Sequence, residues 1–418
     1  MAVVVLMYVP ALGHIRPALA LANELVKKGE TVHFFTTSEF KSLIVGENII
    51  YENYWFWEKR LALFSRNIDV DKPYLSYEDF EYLADVRIDV SNQIAKIFEK
   101  NIVKIKADYI IHDQTILFGQ KIAESLQIPS FCHYVEMIYN VELLNIRPEF
   151  YLKYEYKFDP NVYPDHDLSI KHINKVADKC YMKYGKRIDD REYVLNDFKI
   201  KGKYNYSFLL KELQIDSKSL NDTFTFCGVP QMPEFKTHKN IIKTLFITLG
   251  THTRGEFDKT RNLNFFDTCI SAFSTTDFNV IISTGDIDCS ILTNESDNIK
   301  IHNKVDQIEI LNEATVMIGH GGLSGTLEAL YYNTPIIALP CKYDQFAVAN
   351  MLMENQLGYS YDIDEITADQ ILSAVKQIIQ DNICFKNVET ISKRLRTQNG
   401  ARIMANAIVA LASDDKNN

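Results

Sequence analysis

Short apolar, β-branched runs alternate along the chain with longer stretches whose apolar positions recur every three or four residues. Val3–Met7 is one such run, closed off by Pro10 and Gly13. Ala18, Leu21, Ala22, Leu25 and Val26 then repeat at helical spacing, with Pro17 near the start and Gly29 as the stop. Thr31–Thr36 predicts the next strand, so the N-terminus reads strand, helix, strand. Residues 109–112, 116–126 and 130–133 repeat that order. The alternation restarts at residues 244–249 and continues through Asn279–Ser283, 316–319 and 335–339. Alternation of this kind predicts parallel strands joined by helices, and two separate stretches of it predict two doubly wound parallel sheets, an α/β fold.

A chain of 418 residues also exceeds what one core usually supports, so two domains of roughly 200 residues each are expected. The first is placed at residues 1–226 and the second at 241–399. Residues 227–240, "CGVPQMPEFKTHKN", carry two prolines and a glycine and form the expected linker. Residues 400–418 form a last helix and a tail that can pack back on the first domain. Residues 140–215 are rich in tyrosine and charge, with weak periodicity, and are expected as helical and loop excursions on the first domain. In doubly wound sheets facing across a cleft, ligands bind outside the carboxyl ends of the strands. The turn holding His14, between the first strand and the first helix, therefore lies on a functional edge.

Composition narrows the partners. The formal charge of −10 argues against nucleic acid or an anionic membrane surface, though a local site can still oppose that sign toward a small anion. The seven cysteines are dispersed with no CxxC pair, which reads as reduced thiols and argues against zinc. No stretch fits a signal peptide or a membrane span, so a cytoplasmic protein is expected.

The densest chemical signal is "IGHGGLSGTLEALYYNTPIIALPCKYDQFAVAN", residues 318–350. A strand ends at Gly319 and a helix is expected to begin near Thr326. Gly321, Gly322 and Gly325 between them let backbone amides approach a ligand. A helix start offers unpaired N–H groups and positive potential to a phosphate, and His320 stands at the mouth of the turn. Taken alone, these glycines serve a tight turn equally well. Glu328, expected in the first helical turn, would also suit the dipole with no ligand present.

This block resembles the C-terminal signature of the family-1, UDP-glycosyltransferase-like enzymes, in particular their bacterial macrolide-glycosyltransferase branch. The matching elements are His320-Gly321-Gly322, the downstream Glu328, and Asp344-Gln345 after the next strand. "YVPALGHIRPALALANEL" is similar to the family's N-terminal turn, "ITLGT" to its first C-domain strand and loop, and "IIHDQTILFGQKIAESLQIPS" to the segment with its buried acid. The resemblance implies a GT-B fold and a nucleotide-diphospho-sugar donor. It gives the diphosphate to His320, to the turn of Gly321, Gly322, Ser324, Gly325 and Thr326, and to Thr251. It gives the ribose to Glu328, the base to Val305 and Gln307, and the sugar to Asp344 and Gln345. Ser324 replaces a common asparagine. Lys304 takes the position of the aromatic residue that stacks on the base, and Asp306 that of a proline. A UDP-sugar is therefore expected first, with a TDP-sugar as the alternative.

The same resemblance makes His14 the general base. A hydroxyl acceptor needs one near neutral pH, and a histidine at a helix start is kept neutral by the dipole. Asp113, at the end of its strand, would hold the other ring nitrogen; Asp108 at the strand's start is the alternative. A lone histidine at such a turn would read as a capping or loop residue. Arg16 reads as a solvated charge, and His33, His112, His133 and His302 as interior groups. Aromatic residues at 51–64 and 150–165 suit either an acceptor pocket or packing.

The reading that results is a metal-independent, inverting glycosyltransferase without a resident cofactor. It would move a hexose to a hydroxyl of a small lipophilic acceptor such as a macrolide, polyketide or flavonoid-like natural product. An epimerase or hydrolase on the same fold, or a non-catalytic nucleotide-sugar-binding protein, are the alternatives. No nucleic-acid or integral-membrane partner is expected, and the sequence leaves the oligomeric state open.

Overall fold

The computed structural model of the protein describes residues 2–55, 74–139, 141–184, 188–220, 222–233, 235, 243–250, 255–342 and 344–414. It divides into two compact units, one of Met1–Pro230 with Asn399–Asn418 and one of Gln231–Gln398.

The first unit is built on a parallel sheet of seven strands. These are β1 (Val3–Met7), β2 (Thr31–Thr36), β3 (Ile49–Asn53), β4 (Tyr109–Asp113), β5 (Ser130–Tyr134), β6 (Asn205–Ser207) and β7 (Phe224–Phe226). Their spatial order is β3-β2-β1-β4-β5-β6-β7. An interior parallel strand is covered on both faces, so it is apolar at every position. β1 is such a strand, and its alternate side chains enter two cores. Val4 and Leu6 pack with Ile15, Ala18, Leu21 and Leu25 of the helix Leu12–Lys27. Val5 and Met7 pack on the opposite face with Ile94 and Phe98 of the helix Tyr77–Ile105 and Phe118 of the helix Leu117–Leu126. Ser76 and Asp79 close a capping box at the start of the helix Tyr77–Ile105.

The helix Gly400–Asp414 completes the first of these cores with Ala401, Met404, Ala405, Ile408 and Ala412, one stripe at helical spacing. Its entry needs glycine. Gly400 N–H donates to the Val229 carbonyl at 2.8 Å, and a Cβ at Gly400 would lie 1.7 Å from the Gly228 oxygen.

The second unit carries six parallel strands: β8 (Thr244–Thr248), β9 (Asn279–Ser283), β10 (Ile299–His302), β11 (Ala314–Gly319), β12 (Ile336–Ala338) and β13 (Gly358–Ser360), in the order β10-β9-β8-β11-β12-β13. Helices Leu323–Tyr331 and Asn382–Arg396 pack together, as do Gly255–Phe273 and Ala368–Gln380.

Several boundaries differ from the sequence pattern. The first helix begins at Leu12, so His14 lies inside its first turn and Pro17 within the helix. The helix after β11 begins at Leu323 with Gly322 as N-cap, which moves Glu328 out of the first turn. The described residues of 140–215 hold four α-helices and a short 3-10 helix, yet β6 also comes from this stretch. His302 is exposed, not interior, because it ends the edge strand β10. All seven cysteines are free thiols, and no helix among the described residues is long and apolar enough to cross a membrane.

Candidate active site

Each sheet reverses its order at one point, and the loops that leave the carboxyl ends there splay apart to leave room for a ligand. In the first sheet this point lies between β1 and β4. The loop after β1 leads to His14, and β4 ends at Asp113. His14 Nδ1 donates to Asp113 Oδ2. Asp113 is wholly buried, and its Oδ1 accepts from Thr115 N–H and Oγ1–H, both at 2.9 Å. Burial alone would raise the Asp113 carboxyl. The His14 charge, its hydrogen bond and the two bonds from Thr115 outweigh burial and hold the carboxyl below the ordinary range. Asp113 thus stays an anion and fixes the tautomer that leaves His14 Nε2 as the basic nitrogen. Asp108, the alternative, is committed elsewhere: its Oδ2 accepts from Val3 N–H at 2.7 Å.

One acidic residue here had no signal in the sequence, whereas His133 was expected to be interior. Glu136, just past β5, brings Oε1 to 3.6 Å from His14 Nε2. Buried His133 lies behind, hydrogen-bonded through Nδ1 to Tyr8 Oη at 2.7 Å. Burial pushes the His133 imidazole down to about 3, with Asp113 opposing and His14 adding to the fall, so the ring is neutral at physiological pH. His112 is also interior, whereas His33 is half-buried and paired with Glu52 at 2.8 Å. Arg16 is exposed.

In the second sheet the reversal falls between β8 and β11. β11 ends at Gly319, the turn His320-Gly321-Gly322 follows, and the helix Leu323–Tyr331 starts with no side-chain cap among the described residues. Its first N–H groups, including those of Ser324 and Gly325, therefore point out of the helix start. The first helical bond inside them runs from Thr326 N–H to the Gly322 carbonyl at 3.0 Å. Glycines set the His320 ring. A Cβ at Gly250 would stand 2.8 Å from its Cε1, and one at Gly322 would stand 2.6 Å from its Nε2. Gly250 and Gly321 also hold φ of 79° and 75°, the left-handed region that favours glycine. Burial pushes His320 down to about 4, helped by Lys342 and opposed by the Thr248 backbone, so it too is neutral. Its Nδ1 is buried without a hydrogen-bond partner among the described residues.

The structure gathers the other predicted donor residues around this turn. Glu328 Oε2 accepts from Gln307 Nε2 at 2.5 Å. A Cβ at Gly325 would lie 3.4 Å from the same Gln307 nitrogen. Asp306 caps the helix Gln307–Leu311 by accepting from Ile308 and Glu309 N–H, a capping role that proline could not fill. Lys304 is exposed 3.9 Å from Asp286, and Val305 is half-buried beside it. Gly321 packs toward Ala338 and the Gln345 backbone, which brings Asp344 and Gln345 to the same end of the sheet. Gln345 Oε1 accepts from Cys341 and Lys342 N–H at 2.9 and 3.1 Å, so its NH2 group is the part oriented for a ligand. Thr251 lies outside the described residues, as do residues 56–64 of the first aromatic stretch. In the second stretch Tyr151, Tyr156 and Phe158 are buried in packing. Among the described residues no group of three His, Cys, Asp or Glu side chains is placed to hold a metal ion.

Known proteins resemble this chain over nearly its whole length. Residues 267–411 match the C-terminal domain of the erythromycin biosynthesis protein CIII-like family. The chain is 25% identical over 415 residues to the NDP-glycosyltransferase YjiC of Bacillus subtilis, covering 96% of this chain and 95% of that one. It is 20% identical to the demethyllactenocin mycarosyltransferase of Streptomyces fradiae, over 99% of this chain and 87% of that one. The crystal structure of CalG4, the calicheamicin glycosyltransferase, superposes with a TM-score of 0.75 at 19% identity, covering 98% of each chain. Two doubly wound parallel sheets, each with polar groups at its switch point, define a GT-B protein. Over nearly its whole length the chain is similar to family-1 glycosyltransferases of the macrolide type.

Proposed function

We propose that the protein transfers a hexose, with inversion, from a nucleotide-diphospho-sugar to a hydroxyl of a small lipophilic acceptor. The observation that carries the reading is the His14–Asp113 pair at the β1/β4 switch point. His14 Nε2 takes the hydroxyl proton as the acceptor oxygen forms its bond to the anomeric carbon. The bond from that carbon to the diphosphate oxygen breaks, and its electron pair leaves with the nucleoside diphosphate. Asp113 compensates the imidazolium formed at His14.

The donor belongs to the second unit's switch point. The uncapped start of the helix Leu323–Tyr331 and His320 stabilise the diphosphate as its charge develops. This electrostatic role replaces a bound cation, so transfer requires neither metal nor resident cofactor. Glu328, oriented by Gln307, receives the ribose hydroxyls, while Asp344 and the Gln345 NH2 group receive the sugar hydroxyls. A uridine nucleotide is the first candidate base and thymidine the second, since Lys304 offers no ring to stack.

A melting-temperature panel of UDP- and TDP-sugars tests the donor half, because a ligand bound only by the native state raises the transition by mass action. The expected result is a saturable rise with one nucleotide sugar, followed by acceptor glycosylation that persists in chelator. No rise with any nucleotide sugar, or activity abolished by chelator, refutes the reading.

A further inference from the structure

Glu136 places an acidic side chain beside the ring nitrogen of His14 that faces away from Asp113, with Oε1 at 3.6 Å from Nε2. Its backbone is fixed from β4. Gln114, next to Asp113, accepts from Val135 N–H through Oε1 at 3.1 Å, and its own carbonyl accepts from Ile200 N–H at 2.7 Å. The chain reaches Ile200 through Asp197 and Phe198, two consecutive residues with φ of 52° and 60°. Non-glycine residues take this conformation only when the surroundings impose it.

What the strained segment delivers is Lys199. Its Nζ lies 3.5 Å from Glu136 Oε2, 3.3 Å from Glu155 Oε2 and 4.0 Å from Asp197 Oδ2, and 4.0 Å from the centre of the Tyr139 ring. Burial, with Glu155 beside it, holds the Asp197 carboxyl well above the ordinary range, against the pull of Lys199 and Arg87. Glu136 and Glu155 both face the Lys199 ammonium, and Glu136 is the part-exposed member on the His14 side.

From this arrangement we infer that Glu136 is a specificity-determining residue that selects acceptors bearing a second hydrogen-bond donor, hydroxyl or ammonium, on an atom one or two positions from the carbon with the reacting hydroxyl. The reacting oxygen sits on His14 Nε2, and the neighbouring donor is taken by Glu136 Oε1. A vicinal diol, a catechol or an amino alcohol satisfies both groups at once. A lone hydroxyl leaves Glu136 Oε1, the oxygen that does not face Lys199, desolvated without a hydroxyl or ammonium donor, which costs affinity. The inference rests on His14 being the acceptor-facing base.

Phenol, catechol and ortho-aminomethylphenol, presented with the nucleotide sugar that gives the largest melting shift, separate the possibilities. The wild-type kcat/KM is expected to favour catechol over phenol by roughly tenfold and the aminomethyl compound by more, as hydrogen bonds to a charged group imply. Glu136→Leu is expected to bring both ratios close to one. Glu136→Gln, the milder change, should keep the catechol preference in part and lose the preference for the ammonium, with an unchanged circular dichroism spectrum. Ratios near one in the wild type, or ratios unaltered in Glu136→Leu, overturn the role of Glu136 while transfer itself stands. No product from any acceptor with any nucleotide sugar overturns the transferase reading and this inference with it.

Discussion

Replacing Asp113 by asparagine keeps the volume of a wholly buried side chain and changes only its charge and one hydrogen-bonding atom. The amide oxygen can still accept from Thr115, as Asp113 Oδ1 does at 2.9 Å. The NH2 group must then face His14 Nδ1, where the carboxylate accepted before. A donor there forces Nδ1 to become the acceptor and moves the ring proton to Nε2, the nitrogen that should receive the acceptor's proton. A catalytic histidine held in the wrong tautomer loses about 10⁴ in kcat. Electrostatics gives the same scale: an imidazolium and a carboxylate with charge centres about 4 Å apart, at an effective dielectric of about 20, attract by about 4 kcal/mol. That attraction is present only once the imidazolium has formed, so its loss slows the chemical step by about 10³. Donor binding, which uses the other unit, should not change.

The assay is single-turnover product formation in Asp113→Asn, His14→Ala and the double variant, with nucleotide-sugar affinity measured beside it. Because the two residues act as one unit, the double variant should be no slower than His14→Ala alone. Stability adds an independent check. A carboxyl held low in the folded state contributes stability above its unfolded pKa, about 3.9, and loses it as pH falls through the folded value. Asp113→Asn should therefore flatten the acid side of the melting curve against pH. An Asp113→Asn enzyme within tenfold of wild-type kcat, or strictly additive losses in the double variant, refutes the proton-transfer role.

Gly322→Ala puts a Cβ where His320 Nε2 now lies at 2.6 Å, and Gly250 blocks the ring's retreat. Nucleotide-diphosphate affinity by calorimetry should fall roughly tenfold to a hundredfold, with melting temperature little changed. Gln345→Glu keeps the oxygen that binds Cys341 and Lys342 N–H and removes the NH2 donor, so kcat/KM for the donor sugar should fall by at least about tenfold while affinity for the free nucleoside diphosphate holds. Lys121→Met strands Asp190, a wholly buried partner at 2.6 Å, and should cost about 3–5 kcal/mol of unfolding free energy in urea titration with catalysis intact.

The alternation of β-branched runs with helical repeats was enough to read two parallel sheets, because a strand covered on both faces reads as a nearly continuous apolar run. It was also enough to find the turns that lie at the two switch points. His14 follows the first strand directly, and His320 with its glycines follows β11, so both stand at strand ends where any doubly wound sheet binds its ligands. Short polar strands escaped this reading. β6 is Asn-Tyr-Ser, and its pairing is decided by the neighbouring β5 and β7, not by its own residues. The onset of the helix after β11 escaped it too, since Gly322 caps by backbone alone.

What chain order cannot carry is the meeting of distant residues. Asp113 lies 99 positions from His14, and only the β1–β4 pairing brings their side chains together. Glu136 reaches the same ring only because β5 lies beside β4, and Lys199 reaches Glu136 only through a strained turn that no local preference would produce. Local sequence therefore determined the elements and their ends. The sheet's strand order, a property of packing between remote segments, decided which end groups share a proton.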